Sequence, residues 1–199
     1  IEEFLRVCRE VGTEPYLAGN VGSGSPGELV DWAEYCNHDG ETDLAELRRE
    51  NGHEEPHDVR WWGVGNENWG CGGRYDPESY ALEYRRFANY LRAFERVLGE
   101  RCLELVACGD NDPDWNRQFM KTLGESGAIA EIGGFELLDH LSVHRYYEAG
   151  DATDFDDEEY FLLLARAREV GRDVDRAAEV LESFVPAGSV GVIFDEWGV

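Results

Sequence analysis

Residues 61–82, WWGVGNENWGCGGRYDPESYAL, combine three local patterns that decide the fold. Residues 61–65 are a short apolar run, which is typical of a buried strand, and a Gly- and Asn-rich turn follows them. Asp-Pro-Glu at 76–78 then supplies an N-cap, a first-turn proline and a first-turn acid, and these predict a helix that ends at Gly99. A strand, a turn and a helix in this order indicate an α/β protein.

The same alternation continues through the rest of the chain. Further strands are predicted at 14–19, 103–108, 140–144 and 190–195, and further helices at 1–11, 28–36, near 44–50, at 113–123 and from an acidic insert at 148–158 to about 184. Short, nearly continuous apolar strands that alternate with helices are typical of a parallel sheet buried on both faces. The pattern predicts one α/β domain, either an α/β barrel or a doubly wound sheet, with too few strands to close an eight-stranded barrel.

The composition indicates a globular and strongly acidic protein. Of 199 residues 42% are hydrophobic, and 43 acidic against 18 basic side chains give a formal net charge of -25. Such a charge repels phosphate, so we expect no nucleic-acid partner. Lys121 is the single lysine, and a lysine-poor acidic surface resembles that of proteins from very salty cytoplasm. We therefore expect salt to favour the folded state by screening this charge; recruitment of a cationic partner is the alternative.

The sequence offers no segment that would insert into a membrane. It has no run of about 20 uncharged apolar residues, and IEEFLRVCRE at 1–10 lacks the basic start and apolar run of a signal peptide. We expect no membrane partner and a cytoplasmic location, although a sequence without an initiator Met leaves a signal peptide open. Five cysteines without a CxxC pair predict reduced, mostly buried thiols.

One motif for metal binding occurs in an unsuitable context. Residues 53–57, HEEPH, match the HExxH zinc pattern, which needs both histidines on one face of a helix. Pro56 would remove a backbone donor and clash within that helix. We therefore interpret the segment as a surface loop and expect neither a metal nor a cofactor.

Polar residues follow each predicted strand. They are Asn20, Asn66 to Asn68, Gly109 and Asp110, His144 to Tyr146, and Asp195 to Trp197. Because the carboxyl ends of parallel strands meet at one rim, we expect Glu67 and Glu196 to face each other. A carboxyl pair beside apolar runs suits acid/base and nucleophilic chemistry at a glycosidic centre. The alternative is that both are ordinary loop acids, since the sequence has 43 acidic residues.

Several of these segments resemble family 51 of the glycoside hydrolases, the α-L-arabinofuranosidases. The most specific is GVGNENWGCGG at 63–73, which resembles the acid/base motif of that family. Further matches follow in family order: NVGSG at 20–24, VDWAEYCN at 30–37, RRENGHEEPHDVRWWGVGNE at 48–67, SVHRYY at 142–147 and FDEWGV at 194–199. Gly198 stands where the family usually has Asn.

The resemblance implies a catalytic (β/α)8 TIM barrel that is incomplete here. Residues 1–199 would form one partial barrel domain with about strands three to seven. The first two strands of the family, with their Arg-Pro-Gly-Gly segment, have no counterpart in this sequence. The eighth strand and the C-terminal β-sandwich domain have none either.

The resemblance also implies roles for single residues. Glu67 would be the general acid/base and Glu196 the nucleophile of a retaining double displacement. Asn66 would hydrogen-bond the sugar 2-hydroxyl, and Tyr146 would donate its hydroxyl to the carboxylate of the nucleophile. A turn residue and an aromatic core residue are the alternatives for these two. The remaining candidates, as subsite or packing residues, are Asn20 and Trp69.

The activity implied is the removal of terminal α-L-arabinofuranosyl residues from arabinan- or arabinoxylan-type saccharides, without a cofactor. Two alternatives stay open. One is another retaining glycosidase of the same clan, such as a β-glucanase or a β-xylosidase, and the other is an inactive sugar-binding fragment. A homo-oligomer of the full-length protein is also open.

Overall fold

The computed structural model of the protein describes residues 1–126, 134–151 and 153–198. Its strands are Tyr16–Gly19 (β1), Trp61–Val64 (β2), Glu104–Cys108 (β3), His140–Tyr146 (β4) and Gly191–Gly198 (β5). The α-helices are Glu2–Val11 (α1), Pro26–Asn37 (α2), Asp43–Glu50 (α3), Pro77–Leu98 (α4), Pro113–Glu125 (α5), Asp157–Arg166 (α6) and Val170–Glu182 (α7). Short 3₁₀ turns lie at Gly134–Leu137 and Ala167–Glu169.

The five strands form one parallel sheet whose spatial order, β1-β2-β3-β4-β5, is the order of the chain. A doubly wound sheet would reverse its strand order at a switch point, whereas strands added in chain order are the unit of a (β/α) barrel. The sheet is also curled, since Tyr16 in β1 at one edge interacts with Asp195 in β5 at the other. The predicted α/β class is confirmed, and the architecture is a partial (β/α) barrel.

Helix α4 shows how the helices cover the sheet. Its buried residues Tyr80, Tyr84, Phe87 and Leu91 recur every three or four positions and form one apolar face. The hydroxyl of Tyr80 donates to the Val64 carbonyl oxygen at 2.5 Å and accepts the backbone N–H of residue 108 at 2.8 Å. This helix therefore ties β2 to β3 directly below the rim.

The helix starts follow local signals in the sequence. Asp76 accepts the backbone N–H of Ser79 at 2.8 Å, and the helix that it caps ends at Gly99 with a left-handed φ of 82°. Helix α2 begins at Pro26, before the predicted start, because Ser25 and Glu28 form a capping box.

Two expectations about the last third of the chain were wrong. The single long helix predicted from the acidic insert to about 184 is two helices, α6 and α7, separated by the turn at Ala167–Glu169. Helix α6 has no buried residue, whereas α7 buries Ala177, Val180 and Leu181, so the two do not share one continuous apolar face. Strand β5 also continues past 195 to Gly198, because it pairs with β4 as far as Tyr146.

The cysteines and the HEEPH segment are as predicted. All five cysteines are free, and Cys8, Cys36 and Cys108 are buried. Residues 53–57 are not helical. The rings of His53 and His57 lie 4.0 Å apart between centroids, and His57 Nε2 lies 2.9 Å from Glu2 Oε1. Within the described ranges, no helix has both the length and the apolar character that crossing a bilayer requires.

Candidate active site

The turn after β2 directs Glu67 to the rim through an unusual backbone. Glu67 has a left-handed φ of 45°, which is rare for a residue other than glycine. Gly65, two residues earlier, has a φ of 101°, and a Cβ atom there would lie 1.9 Å from the side-chain oxygen of Asn68. Asn68 is buried and its amide donates to the Gly72 carbonyl oxygen at 2.8 Å. Local strain of this kind persists where the surroundings fix it, and it clusters at functional sites.

A bulge in β5 directs two further carboxylates to the same place. Val143 pairs with Phe194 but His144 pairs with Glu196, so Asp195 is the extra residue of the bulge. Successive residues of a regular strand point to opposite faces, and a bulge re-aims them. As a result both acidic side chains reach one imidazole ring, with Asp195 Oδ1 at 3.3 Å from Nε2 and Glu196 Oε2 at 3.4 Å from Nδ1.

His144 bridges the two glutamates named from the sequence. Its Nδ1 atom lies 3.1 Å from Glu67 Oε1, on the side of the ring that also faces Glu196. One ligand atom from each of the three residues lies within 4.8 Å of the others. Glu67 and Glu196 therefore share one rim, with one oxygen of each within 4.8 Å of the other. Retaining glycosidases hold their two carboxyl groups about 5 to 5.5 Å apart.

The surroundings of His144 favour its charged form. Burial lowers its pKa, but hydrogen bonds to Asp195 and Glu67 and the charges of Asp195 and Glu196 outweigh burial and raise the pKa to about 9. Near neutral pH both ring nitrogens are therefore donors. In this form the ring donates hydrogen bonds to the carboxylates on both of its sides.

Tyr146 and Asn66 lie where they can act on a ligand. The Tyr146 hydroxyl donates to Glu196 Oε1 at 2.7 Å, and this hydrogen bond is the main reason why the pKa of the tyrosine is raised. Asn66 is exposed at the rim, directly before Glu67 in the left-handed turn. The contact expected for Tyr146 is therefore present, and Asn66 is accessible from solvent.

Asn20 and Trp69 are both engaged in local structure. The Asn20 amide donates to the Ser23 hydroxyl at 2.8 Å, and its oxygen accepts the backbone N–H of Ser23 at 3.0 Å, so this side chain shapes its own loop. The half-buried indole of Trp69 packs on the core and donates to the Gly109 carbonyl oxygen at 2.9 Å. Both side chains thus have local hydrogen-bond partners, and their roles as subsite or packing residues stay predictions.

Four residues of this site were not predicted from the sequence. His144 and Asp195 were noted only as polar strand ends, although a charged residue directly after an apolar run such as LSV or VIF is a signal of buried polar function. Tyr16 contacts Asp195 across the curled sheet, and burial followed by the charge of that carboxylate raises its pKa. Cys71 donates its thiol to Glu67 Oε2 at 3.2 Å. Neither of these last two contacts is predictable from spacing.

The chain is similar to known proteins over most of its length. A family model described as the alpha-L-arabinofuranosidase 1 domain matches residues 1–160. An intracellular exo-α-L-arabinofuranosidase of Bacteroides ovatus is 34% identical over 203 residues, which cover 98% of this chain and 37% of that protein. A probable α-L-arabinofuranosidase C of Aspergillus terreus is 34% identical over 204 residues, with 100% and 39% covered.

A solved structure is similar over the same extent. The crystal structure of the GH51 arabinofuranosidase from Xanthomonas axonopodis pv. citri matches with a TM-score of 0.82 and 29% identity, covering 99% of this chain and 38% of that one. The chain thus spans less than two fifths of the length of each of these proteins.

Proposed function

Since this chain belongs to family 51 of the glycoside hydrolases, the α-L-arabinofuranosidases, we propose that its protein removes terminal α-L-arabinofuranosyl residues with retention of configuration. The substrates proposed are arabinan- and arabinoxylan-type saccharides. One observation carries the mechanism: Glu67, Glu196 and His144 offer atoms within 4.8 Å of one another on a single rim. The names of the relatives support the sugar, and the exo-acting, intracellular relative supports cleavage of terminal residues and a cytoplasmic location.

In the first step the carboxylate of Glu196 attacks the anomeric carbon. The bond from that carbon to the leaving oxygen breaks, and Glu67 in its acid form gives its proton to this oxygen. The product is a glycosyl ester on Glu196. The Tyr146 hydroxyl, at 2.7 Å from Glu196 Oε1, holds the attacking carboxylate in place before the ester forms.

In the second step Glu67 acts as a base. Its carboxylate takes a proton from water, the hydroxide oxygen attacks the anomeric carbon, and the bond to Glu196 breaks. Glu196 leaves as a carboxylate and Glu67 is again protonated. Two displacements on one carbon restore its configuration. Asn66, accessible beside Glu67, is proposed to hydrogen-bond the sugar 2-hydroxyl.

The first experiment tests the sugar and the stereochemistry. The natural protein that carries these 199 residues is assayed on nitrophenyl α-L-arabinofuranoside, β-D-xyloside and β-D-glucoside, and the anomer released first is identified by proton NMR. We expect preference for the arabinofuranoside and release of the α anomer. Preference for a xyloside or glucoside would indicate another glycosidase of the clan, and release of the β anomer would contradict retention.

The second experiment tests the two roles. Glu196→Ala should abolish turnover on every substrate, whereas Glu67→Ala should still form the glycosyl ester from substrates with good leaving groups, which need little protonation. Azide should rescue Glu67→Ala, because it attacks the ester without a base and yields the α-configured arabinosyl azide. Circular dichroism of both variants provides the folding control. Equal losses on all leaving groups, without azide rescue, would contradict the assignment.

A further inference from the structure

The buried face of His144 carries a contact that the two displacements leave unused. Nε2 faces Asp195, whose side chain is 9% exposed, while His144 itself is 4% exposed. Asp195 reaches this position as the extra residue of the bulge in β5. Its other neighbour is the hydroxyl of Tyr16 from the opposite edge of the sheet. The carboxylate thus has neighbours on two other strands, and its Oδ1 atom lies 3.3 Å from Nε2 of the imidazole.

The opposite face of the ring presents one donor to two acceptors. Nδ1 is 3.1 Å from Glu67 Oε1 and 3.4 Å from Glu196 Oε2. In the first displacement negative charge disappears from Glu196, which becomes an ester, and appears on Glu67, which loses its proton. In the second displacement the charge returns. A donor fixed between the two oxygens serves whichever of them is charged, without moving the ring.

From these contacts we infer that Asp195 is a positioning residue that fixes the His144 ring. In this position the Nδ1–H of His144 can donate to Glu196 or to Glu67, whichever of the two is negatively charged. The inference rests on the proposed function. No proton leaves His144 in either step, and the proton transferred is the one that Glu67 exchanges with the leaving oxygen and then with water. The pKa of about 9 agrees with a ring that keeps both protons. The charged and titratable groups around the ring are Glu67, Asp195, Glu196 and, beyond Asp195, Tyr16.

This arrangement predicts a specific kinetic effect of Asp195→Asn, which keeps the shape of the side chain but removes its charge. We expect kcat to fall about 10- to 100-fold, the size of effect found when the carboxylate that orients a metal-ligating histidine is removed. KM should change little, because His144 faces carboxylates and not the sugar. The basic limb of the pH profile of kcat should move to lower pH, because the His144 pKa falls without its negative partner.

Asp173→Asn is the matched control. Asp173 is a similarly buried carboxylate that accepts a tyrosine hydroxyl, that of Tyr147 at 3.0 Å, but it lies on α7 and outside the site. Removing the charge of Asp173 should lower the free energy of unfolding, while kcat and the pH profile stay those of the wild type. If Asp195→Asn and Asp173→Asn have the same kinetics, or if Asp195→Asn raises KM as much as it lowers kcat, the inference is wrong.

A measurement on the unmodified protein does not depend on activity or on the folding of a variant. Nitrogen-15 NMR of the His144 ring, assigned with His144→Gln, reports whether both nitrogens carry protons. We expect a doubly protonated ring at pH 7 that titrates above pH 8, and a lower midpoint in Asp195→Asn. A ring that is neutral at pH 7 would overturn the inference. A protein that shows the expected titration but no arabinofuranosidase activity would refute the proposed function and leave the Asp195–His144 pairing supported.

Discussion

The two ends of the sheet each hold a cluster of charged side chains, and the two clusters balance their charges differently. At the N-terminal end, Arg92 contacts both Glu95 and Asp139, and Arg101 donates to Asp139 at 2.6 Å. Glu95 also accepts the two backbone N–H groups just before β3, at 2.9 and 2.7 Å. Two positive and two negative groups thus pair with each other and with the backbone.

The C-terminal rim holds three carboxylates around one imidazole. Glu67, Asp195 and Glu196 all face His144, and their other contacts are the hydroxyls of tyrosines and a thiol. No arginine or lysine of the described residues pairs with these three carboxylates. A balanced cluster stabilises the chain, whereas a cluster with excess negative charge is poised to receive a proton or a positively charged transition state. We therefore expect substitutions in the N-terminal cluster to change stability and substitutions at the C-terminal rim to change activity.

The largest effect is expected from replacing the glutamate in one of two similar glutamate–histidine pairs. Glu67 pairs with His144 at the rim, and Glu104 pairs with His140 at 3.1 Å at the other end. Glu67→Gln removes the proton donor and should lower kcat/KM on substrates with poor leaving groups by about 10²- to 10⁴-fold. Glu104→Gln should leave kcat/KM within about twofold, because Glu104 pairs with the partly exposed His140 and Arg60 and lies away from the rim. A comparable loss in both variants would mean that the rim has no special role.

A substitution in the balanced cluster at the N-terminal end should lower the free energy of unfolding and leave activity unchanged. Asp139→Asn leaves Arg92 with a buried charge that is no longer fully compensated, and breaking such a pair costs about 3 to 5 kcal/mol. Urea unfolding at pH 7 measures this loss, and kcat of the folded fraction should be unchanged. Asp114→Asn, which breaks an exposed pair with Arg117, is the control and should cost less than about 1 kcal/mol.

Substitutions of two adjacent tyrosines should distinguish an effect on activity from an effect on stability. Tyr146→Phe removes the donor to the Glu196 carboxylate, and the loss of this hydrogen bond to a charged group should lower kcat/KM roughly 10- to 100-fold. Tyr147→Phe removes the donor to Asp173 and should lower the free energy of unfolding instead. Steady-state kinetics and urea unfolding on both variants test the pair, and an unchanged kcat/KM for Tyr146→Phe would contradict its role.

Salt should act on the exposed carboxylates and much less on either cluster. The formal charge of -25 repels itself at low ionic strength, and at about 1 M salt the Debye length falls to roughly 3 Å. We expect the Tm, followed by circular dichroism, to rise by a few degrees from about 0.1 M to about 3 M KCl, since 1 kcal/mol shifts Tm by about 2 to 4 °C at this size. A Tm that stays constant or falls would favour a cationic partner as the reason for the acidic surface.

The smallest effect concerns the thiol beside Glu67. The hydrogen bond to Glu67 is the main cause of the raised pKa of Cys71, which therefore stays a thiol near neutral pH. Because the thiolate is the reactive form, iodoacetamide at pH 8 should modify Cys71 slowly, and about two- to fivefold faster in Glu67→Gln. Mass spectrometry of the Cys71 peptide gives the rate, and the buried Cys36 is the internal control. An equal rate in both proteins would mean that the contact does not persist in solution.

Local signals in the sequence predicted most of the fold. All five strands are where apolar runs indicated, and α4 starts and ends at its predicted cap and glycine. The long helix predicted before β5 was wrong, because continuous helical spacing does not reveal that α6 and α7 bury different faces. Glu67, Glu196 and Tyr146 were predictable from strand ends and the resemblance. The bulge at Asp195 was not, because a register shift depends on how β5 pairs with β4.

The curl of the sheet brings Tyr16 near the start of the chain to Asp195 near its end. The order of synthesis therefore determines when the rim residues of a newly made chain can meet. Synthesis proceeds from the N-terminus at about 5 to 20 residues per second, and His144 follows Glu67 by 77 positions, a delay of roughly 4 to 15 seconds. Glu196 comes a further 50 positions after Tyr146. Until β5 has docked, Glu67 and His144 have neither Asp195 nor Glu196 beside them. The cluster of Glu67, His144 and Glu196 is therefore complete only once nearly the whole of this sheet has been translated.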